Sequence, residues 1–99
     1  MLSLVKRVFM PLPHRLAADD SLYGVRIRGD QNNDGSWQPC IEFESRRGIK
    51  LETCPKLTVT TVDELKHWAE RLDEPALLSA LTEASKGPIR RVRRRRDDV

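Results

Sequence analysis

The arginine-rich end of this chain is its strongest chemical signal. Between Arg90 and Arg96, six of the seven residues are arginine, and only Val92 interrupts the run. Each guanidinium is permanently charged and can fork onto phosphate oxygens, so such a run can neutralise a nucleic-acid backbone and release its counterions. The run has no aromatic residue to stack on a base, and Asp97 and Asp98 follow it directly. The same composition is also typical of a solvated tail, or of a segment that docks on an acidic protein.

The net charge of +3 hides a division between the body of the chain and this tail. Residues 1–85 hold eleven Lys and Arg against thirteen Asp and Glu, whereas residues 86–99 hold seven bases against two acids. Phosphate contacts are therefore expected from the tail, with help from the one basic pair in a predicted turn. The predicted nucleic-acid-binding residues are Arg46, Arg47, Arg90, Arg91, Arg93, Arg94, Arg95 and Arg96.

A second candidate site is the polar stretch that begins at Asp30. Asp30, Asn32, Asp34 and Gly35 match the first half of a calcium loop, in which oxygen ligands alternate and glycine makes the bend. The twelfth loop position should be a bidentate glutamate, but it is Ile41, and strands rather than helices are predicted on both sides. An ordinary polar hairpin loop explains the same residues, so calcium binding is left open.

The chain contains cysteine and histidine residues, which can bind zinc, but their spacing does not suit a zinc site. Cys40, Cys54, His14 and His67 include no pair at the close spacing of structural zinc ligands. The sequence also lacks a nucleophile–base motif, a glycine-rich phosphate loop and a twin-carboxylate signature. We therefore predict no metal site, no cofactor and no enzymatic activity.

Three strands are predicted to support these residues. Residues 22–29 alternate apolar and polar side chains, as a half-buried strand does, and a second strand is predicted from Trp37 to Ser45. The segment Arg46–Gly48 suits a three-residue hairpin loop with glycine in the left-handed position. The third strand then runs from Ile49 to about Thr53 and stops before Pro55.

That hairpin loop fixes a register. It places Phe43 opposite Leu51 and Cys40 opposite Cys54, with the two cysteine Cα atoms about 4.5–5.5 Å apart. If the first strand pairs so that Val25 faces Phe43, then Arg26 faces Glu42. The exposed sheet face would then interleave opposite charges, which explains its arginines through cross-strand ion pairs rather than through a ligand.

Two helices are predicted after the strands. Thr61 and Glu64 form a capping box, and Asp73 can cap a second helix that Gly87-Pro88 ends. The apolar stripes that should face the sheet are Val62, Leu65, Trp68, Ala69 and Leu72 on the first helix, and Leu77, Leu78, Leu81 and Ala84 on the second. Trp68 is expected to be the major core side chain, and Trp37, beside a polar loop, a minor one.

The N-terminal segment is harder to assign. The stretch LSLVKRVF fits a strand or a short helix that Pro11 and Pro13 end, and HRLAADD fits a loop or a short helix. Lys6 and Arg7 interrupt the apolar run that a signal peptide needs, so a cytoplasmic protein with free thiols is expected. Because Leu2, Leu4, Val5, Val8 and Phe9 are apolar, residues 2–10 should be packed, on their own sheet edge or in a homodimer.

The sequence thus predicts an α+β fold, a three-stranded antiparallel meander followed by a helical hairpin packed on one face (βββαα). Residues 1–20 form the N-terminal segment, residues 21–87 a single domain, and residues 88–99 a disordered basic tail. The expected function is that of a small non-enzymatic nucleic-acid-associated protein, acting on RNA or single-stranded DNA. The alternative is a protein-interaction or assembly module whose tail docks an acidic partner.

Overall fold

The computed structural model of the protein describes residues 6–18, 20–86 and 90–91. Within them, an antiparallel sheet in chain order is followed by two helices, and a two-residue strand closes the far edge of the sheet. The elements are β1 (Arg7–Ala18), β2 (Ser21–Gln31), β3 (Trp37–Ser45), β4 (Ile49–Thr53), α1 (Val62–Glu70), α2 (Glu74–Lys86) and β5 (Arg90–Arg91). The α+β class is as predicted, but the sheet has four long strands instead of three. None of the helices in these residues is long and apolar enough to span a membrane.

The additional strand, β1, corrects the assignment of the N-terminal segment. It continues through Pro11 and Pro13 and includes residues 14–18, which were predicted as part of a loop or short helix. A proline lacks the N–H that a ladder needs, but an edge strand has one side without a partner and tolerates it. The register also shifts between Leu12 and Arg15, which leaves two residues of β1 unpaired with β2. The prolines therefore shape an edge strand and do not end it.

Part of the predicted N-terminal packing is present in β1. Val8 and Met10 pack against the hydrophobic core, and Leu16 is fully buried in it. Phe9 faces the other side of the sheet and is 48% exposed. Residues 2–5 lie outside the described part of the chain. The segment thus covers an edge of its own sheet, one of the two arrangements predicted from its apolar composition.

The predicted register of the central strands is confirmed. Phe43 pairs with Leu51 in the β3–β4 hairpin, and Val25 pairs with Phe43 across β2 and β3. Gly48 adopts a φ of +83° in the turn, the left-handed conformation that glycine enters without strain. Because side chains alternate along a strand, this one turn decides which residues face the core and which face outwards.

Cys40 and Cys54 lie side by side as predicted, but they are bonded. They form a disulfide, and their Cα atoms are 4.1 Å apart, slightly closer than expected. The prediction of free thiols rested on the expected compartment and is wrong for this structure. The register itself brings the two sulfur atoms together, and Cys40 is buried while Cys54 is exposed.

The hydrophobic core lies between the sheet and the two helices. Helix α2 contacts both β4 and β1, at opposite sides of the four long strands, so it lies across the width of the sheet. Of the predicted helix stripes, Val62 and Leu78 are more than a third exposed. The buried residues of the core are Leu16, Tyr23, Val25, Ile27, Ile41, Phe43, Leu51, Leu65, Ala69, Leu77, Leu81 and Ala84.

The two tryptophans exchange the roles predicted for them. Trp37 is only 6% exposed, whereas Trp68 is partly buried at the edge of the core. The backbone of Trp37 pairs with Val59, from the connection between β4 and α1, at N···O distances of 2.7 and 2.9 Å. Gly29 lacks a side chain where Trp37 and Leu65 approach, and a Cβ there would clash with Leu65. The returning connection and this gap bury a residue that the sequence places beside a polar loop.

Helix α1 is capped almost as predicted. Thr61 Oγ1 accepts a hydrogen bond from the Glu64 backbone N–H at 3.1 Å, but the Glu64 carboxylate accepts from Thr60 instead of Thr61. Both the hydroxyl and the backbone N–H of Thr60 donate to Glu64 Oε1, at 2.6 and 2.8 Å. These bonds favour the ionised carboxylate and lower the pKa of Glu64, the hydroxyl contributing most.

A pH-dependent contribution to stability follows from this cap. Because the folded pKa of Glu64 lies below its unfolded value, the contribution is present above the unfolded pKa and is lost as the pH falls through the folded pKa. Thr60→Val removes the hydroxyl donor, so the pKa of Glu64 should rise towards its ordinary value. An NMR titration of the carboxyl carbon would measure this, with Thr58→Val as the control. An unchanged pKa in Thr60→Val would contradict the assigned cause.

Candidate nucleic-acid interface

The sheet face that points away from the helices carries an ion network across β1–β4. Its members are Arg7, Arg26, Arg28, Asp30, Glu42 and Glu52, three cations and three carboxylates. Arg26 Nε donates to Glu42 Oε1 at 2.7 Å, as the predicted register requires. The Arg26 guanidinium also lies over the Phe9 ring, 4.3 Å from its centroid. This part of the outer face is therefore balanced in charge by its own residues.

Arg28 is the centre of the network. Its guanidinium donates to Glu42 at 2.7 Å, to Glu52 at 3.0 Å and to Asp30 at 3.2 Å, and a fourth contact reaches Cys40 Sγ at 3.3 Å. Burial alone would lower the pKa of Arg28, but the charges of Glu52 and Asp30 and the hydrogen bonds to the carboxylates outweigh it and raise the pKa. Arg28 is thus fully engaged by protein groups and is unsuited to hold a phosphate.

The β3–β4 turn presents two of the predicted site residues, Arg46 and Arg47. Ser45 is buried below the turn, and its hydroxyl accepts hydrogen bonds from the Arg47 and Ile49 backbone N–H groups at 3.2 and 3.3 Å. Both arginines are exposed. Among the described residues, no carboxylate forms an ion pair with either of them. The turn therefore presents to solvent two guanidinium groups that no described carboxylate engages.

The structure describes two backbone positions of the predicted tail. Arg90 pairs with Lys50 and Arg91 with Ile49, antiparallel to β4. The direction of β5 is therefore towards the β3–β4 turn. Four other predicted site residues, Arg93, Arg94, Arg95 and Arg96, lie outside the described part of the chain. The prediction that residues 88–99 are disordered likewise falls largely on residues that are not described.

The candidate calcium ligands do not converge. Asp30 lies in β2 with its carboxylate directed to Arg7 and Arg28, at 2.9 and 3.2 Å. Asp34 instead accepts hydrogen bonds from the hydroxyl and backbone N–H of Ser36, which lower the pKa of Asp34, the hydroxyl contributing most. These are the contacts of a polar hairpin turn between β2 and β3, the alternative that the sequence offered.

The structure does not bring the four candidate zinc ligands together either. Cys40 and Cys54 are held in the disulfide, and His67 is exposed on α1. His14 lies in the irregular part of β1. In the residues that the structure describes, no three Cys, His, Asp or Glu side chains are placed to hold a metal ion.

One exposed cation near the turn was missed in the sequence. Arg15 lies on the outer face of β1 and pairs with Gly24, which in turn pairs with Glu44, one residue before Ser45. The alternation of exposed and buried residues along β1 could have indicated Arg15, but the two prolines obscured it.

Comparison of the chain with protein-family models, with curated proteins and with solved structures finds no match in any of the three.

Proposed function

We propose that this chain is a small non-enzymatic protein that binds nucleic acid through phosphate contacts from Arg46, Arg47 and the arginines of residues 90–96. One observation carries the proposal, the pairing of Arg90 and Arg91 with β4. Because β5 is directed towards the β3–β4 turn, the arginine run begins beside the exposed pair in that turn. Cations collected at one end of a slightly acidic body favour a polyanionic ligand at that end.

The ion network supports this choice of surface, because its own arginines already have carboxylate partners and are less available to phosphate. Arg7, Arg26 and Arg28 each contact a carboxylate of the sheet, so a phosphate would have to displace an existing partner there. Arg46 and Arg47 have no carboxylate partner among the described residues that a phosphate would have to displace. Guanidinium groups held on a turn also give up less conformational freedom on binding than those of an unstructured segment.

Truncation after Gly87 is the test of the tail. The melting temperature should change by only about a few degrees, because the truncation removes a two-residue strand and no part of either helix. Nucleic-acid binding should be largely lost. With about six phosphate contacts at roughly 0.7 each, a plot of the logarithm of the binding constant against the logarithm of the salt concentration should have a slope of about −4 for the full-length protein on single strands. Equal affinity of the truncated and full-length proteins would reject the proposal.

The turn is tested separately with charge-matched variants. Arg46→Ala with Arg47→Ala should weaken binding and reduce the salt slope by about 1–1.5, since two phosphate contacts are removed. Lys66→Ala with Arg71→Ala removes the same charge from the exposed surface of the helical layer. This control should bind nearly as the original protein does. If the two double variants lose affinity equally, net charge and not the turn governs binding.

The alternative is an assembly module, and one observation favours it. Phe9 on the edge strand β1 and Leu22 on β2 are 48% and 47% exposed, and both face outwards. Exposed apolar side chains on a sheet face are typical of a contact between chains, and Phe9 lies on an edge strand. A protein that sediments as a dimer and elutes free of nucleic acid at low salt would favour this function over the first.

A further inference from the structure

The outer face contains a cleft beside the β3–β4 turn. It has a volume of about 380 Å³, and its outer-face lining is Pro11, Arg15, Leu22, Gly24, Glu44 and Arg46. We call it the outer-face cleft. Gly24 has no side chain to fill the cleft. The space above it is empty, since a Cβ built there would meet no atom nearer than 3.9 Å. The cleft and Arg46 lie at the same end of the sheet, the end towards which β5 is directed.

The charges of the cleft differ from those of the ion network on the same sheet face. Arg15 and Arg46 are both exposed, and neither forms an ion pair with another described residue. Glu44 pairs with Lys50 in the register but is not in contact with it through an ion pair. The cleft thus offers groups of both signs between apolar walls, and the Arg15 guanidinium has only a long hydrogen bond of 3.4 Å, to the His14 carbonyl.

Resting on the proposed function, we propose that the outer-face cleft receives an unstacked base of single-stranded RNA. Pro11 and Leu22 offer apolar surface to the base, and the Arg15 guanidinium offers a flat cation on which a base can stack. Arg46 lies at the rim, where it can contact the adjoining phosphate. This arrangement supplies the stacking surface that the arginine tail lacks.

Glu44 argues for RNA over DNA. A carboxylate repels phosphate and only accepts hydrogen bonds, so it needs a donor from the ligand. The ribose 2′-hydroxyl is such a donor on every nucleotide of RNA, and deoxyribose lacks it. Base-paired RNA keeps its bases stacked inside the helix, so a duplex can use the cations of this end but not the cleft.

The experiment compares three fluorescent ligands, an oligouridine, an oligodeoxyuridine of the same length and an RNA duplex. Gly24→Val fills the cleft with a side chain suited to a strand, and its Cβ would meet Arg15 and Glu44 only at 3.9 Å. Affinity of Gly24→Val for oligouridine should fall about tenfold, the effect of losing one base-stacking contact. Its affinity for the duplex should be unchanged.

Glu44→Ala tests the choice of sugar. The full-length protein should bind oligouridine several times more tightly than oligodeoxyuridine. In Glu44→Ala this preference should disappear, because oligodeoxyuridine binds more tightly once the repulsive carboxylate is gone. Equal binding of both oligonucleotides by the original protein would overturn the assignment to RNA.

Two further measurements distinguish the contribution of the cleft to binding from that of the tail. Thermal unfolding of Gly24→Val should show a melting temperature at least as high as that of the original chain. Leu22→Ser removes an exposed apolar wall without adding charge, and should reproduce the loss of affinity for oligouridine.

If truncation after Gly87 abolishes binding while Gly24→Val and Leu22→Ser bind normally, the cleft proposal is wrong and the proposed function stands. If the full-length protein binds none of the three ligands, the proposed function fails and the cleft proposal with it.

Discussion

Replacing Trp37 by alanine should destabilise the protein by about 3–5 kcal/mol, the usual effect of deleting a buried tryptophan. Its indole is almost fully buried, at 6% exposure, where the β4–α1 connection returns to β3. Trp68→Ala should cost much less, because water already reaches part of that side chain. For a domain of this size the first loss is a large fraction of the total stability.

Urea unfolding of both variants would measure the difference. The two changes remove the same atoms, so the comparison depends only on the surroundings of each indole. The intrinsic fluorescence of the remaining tryptophan reports unfolding in each case. Equal losses of stability, or a larger loss at Trp68, would contradict the burial described for Trp37.

Breaking the Cys40–Cys54 disulfide should destabilise the protein by about 3 kcal/mol, the value expected when a cross-link closes a loop of roughly fifteen residues. The two cysteines are fourteen positions apart. The stabilisation comes mainly from restricting the unfolded chain, so the folded β3–β4 hairpin should persist after reduction. Cys54 is an exposed residue, so one end of the bridge lies at the surface.

Chemical unfolding with and without reductant would test this. The reduced protein should unfold at a lower denaturant concentration, and alkylation followed by mass measurement would confirm that both thiols are free. A variant with Cys40→Ala and Cys54→Ala is the control, since reductant should not alter its midpoint. The expectation fails if alkylation shows complete reduction and the midpoint of the original protein is unchanged.

The sequence predicts the centre of the sheet well. A three-residue turn with Gly48 allows one register, and alternation along Val25 and Phe43 then decides which side faces the core. Local patterns sufficed here because both depend on neighbouring residues only. The pairing of Arg26 with Glu42 was predicted on the further condition that Val25 faces Phe43, and the structure meets that condition.

The remaining differences come from contacts between distant parts of the chain. Pro11 and Pro13 oppose a strand in isolation, and only the empty edge beside β1 makes them acceptable. Trp37 is buried by residues more than twenty positions later, at Val59. The outer-face cleft needs β1, β2 and β3 together, so no single segment could have indicated it.

The order of the strands also bears on how the chain folds. Each long strand pairs with its neighbour in sequence, and the connections between them are only a few residues long. Short connections lose little entropy on closure, so the meander can form as a series of local hairpins. The contact between α2 and β1 is different, because it brings together residues from opposite ends of the described chain. A long loop must therefore be closed when the last helix reaches the first strand, and that closure costs more entropy than any of the hairpins.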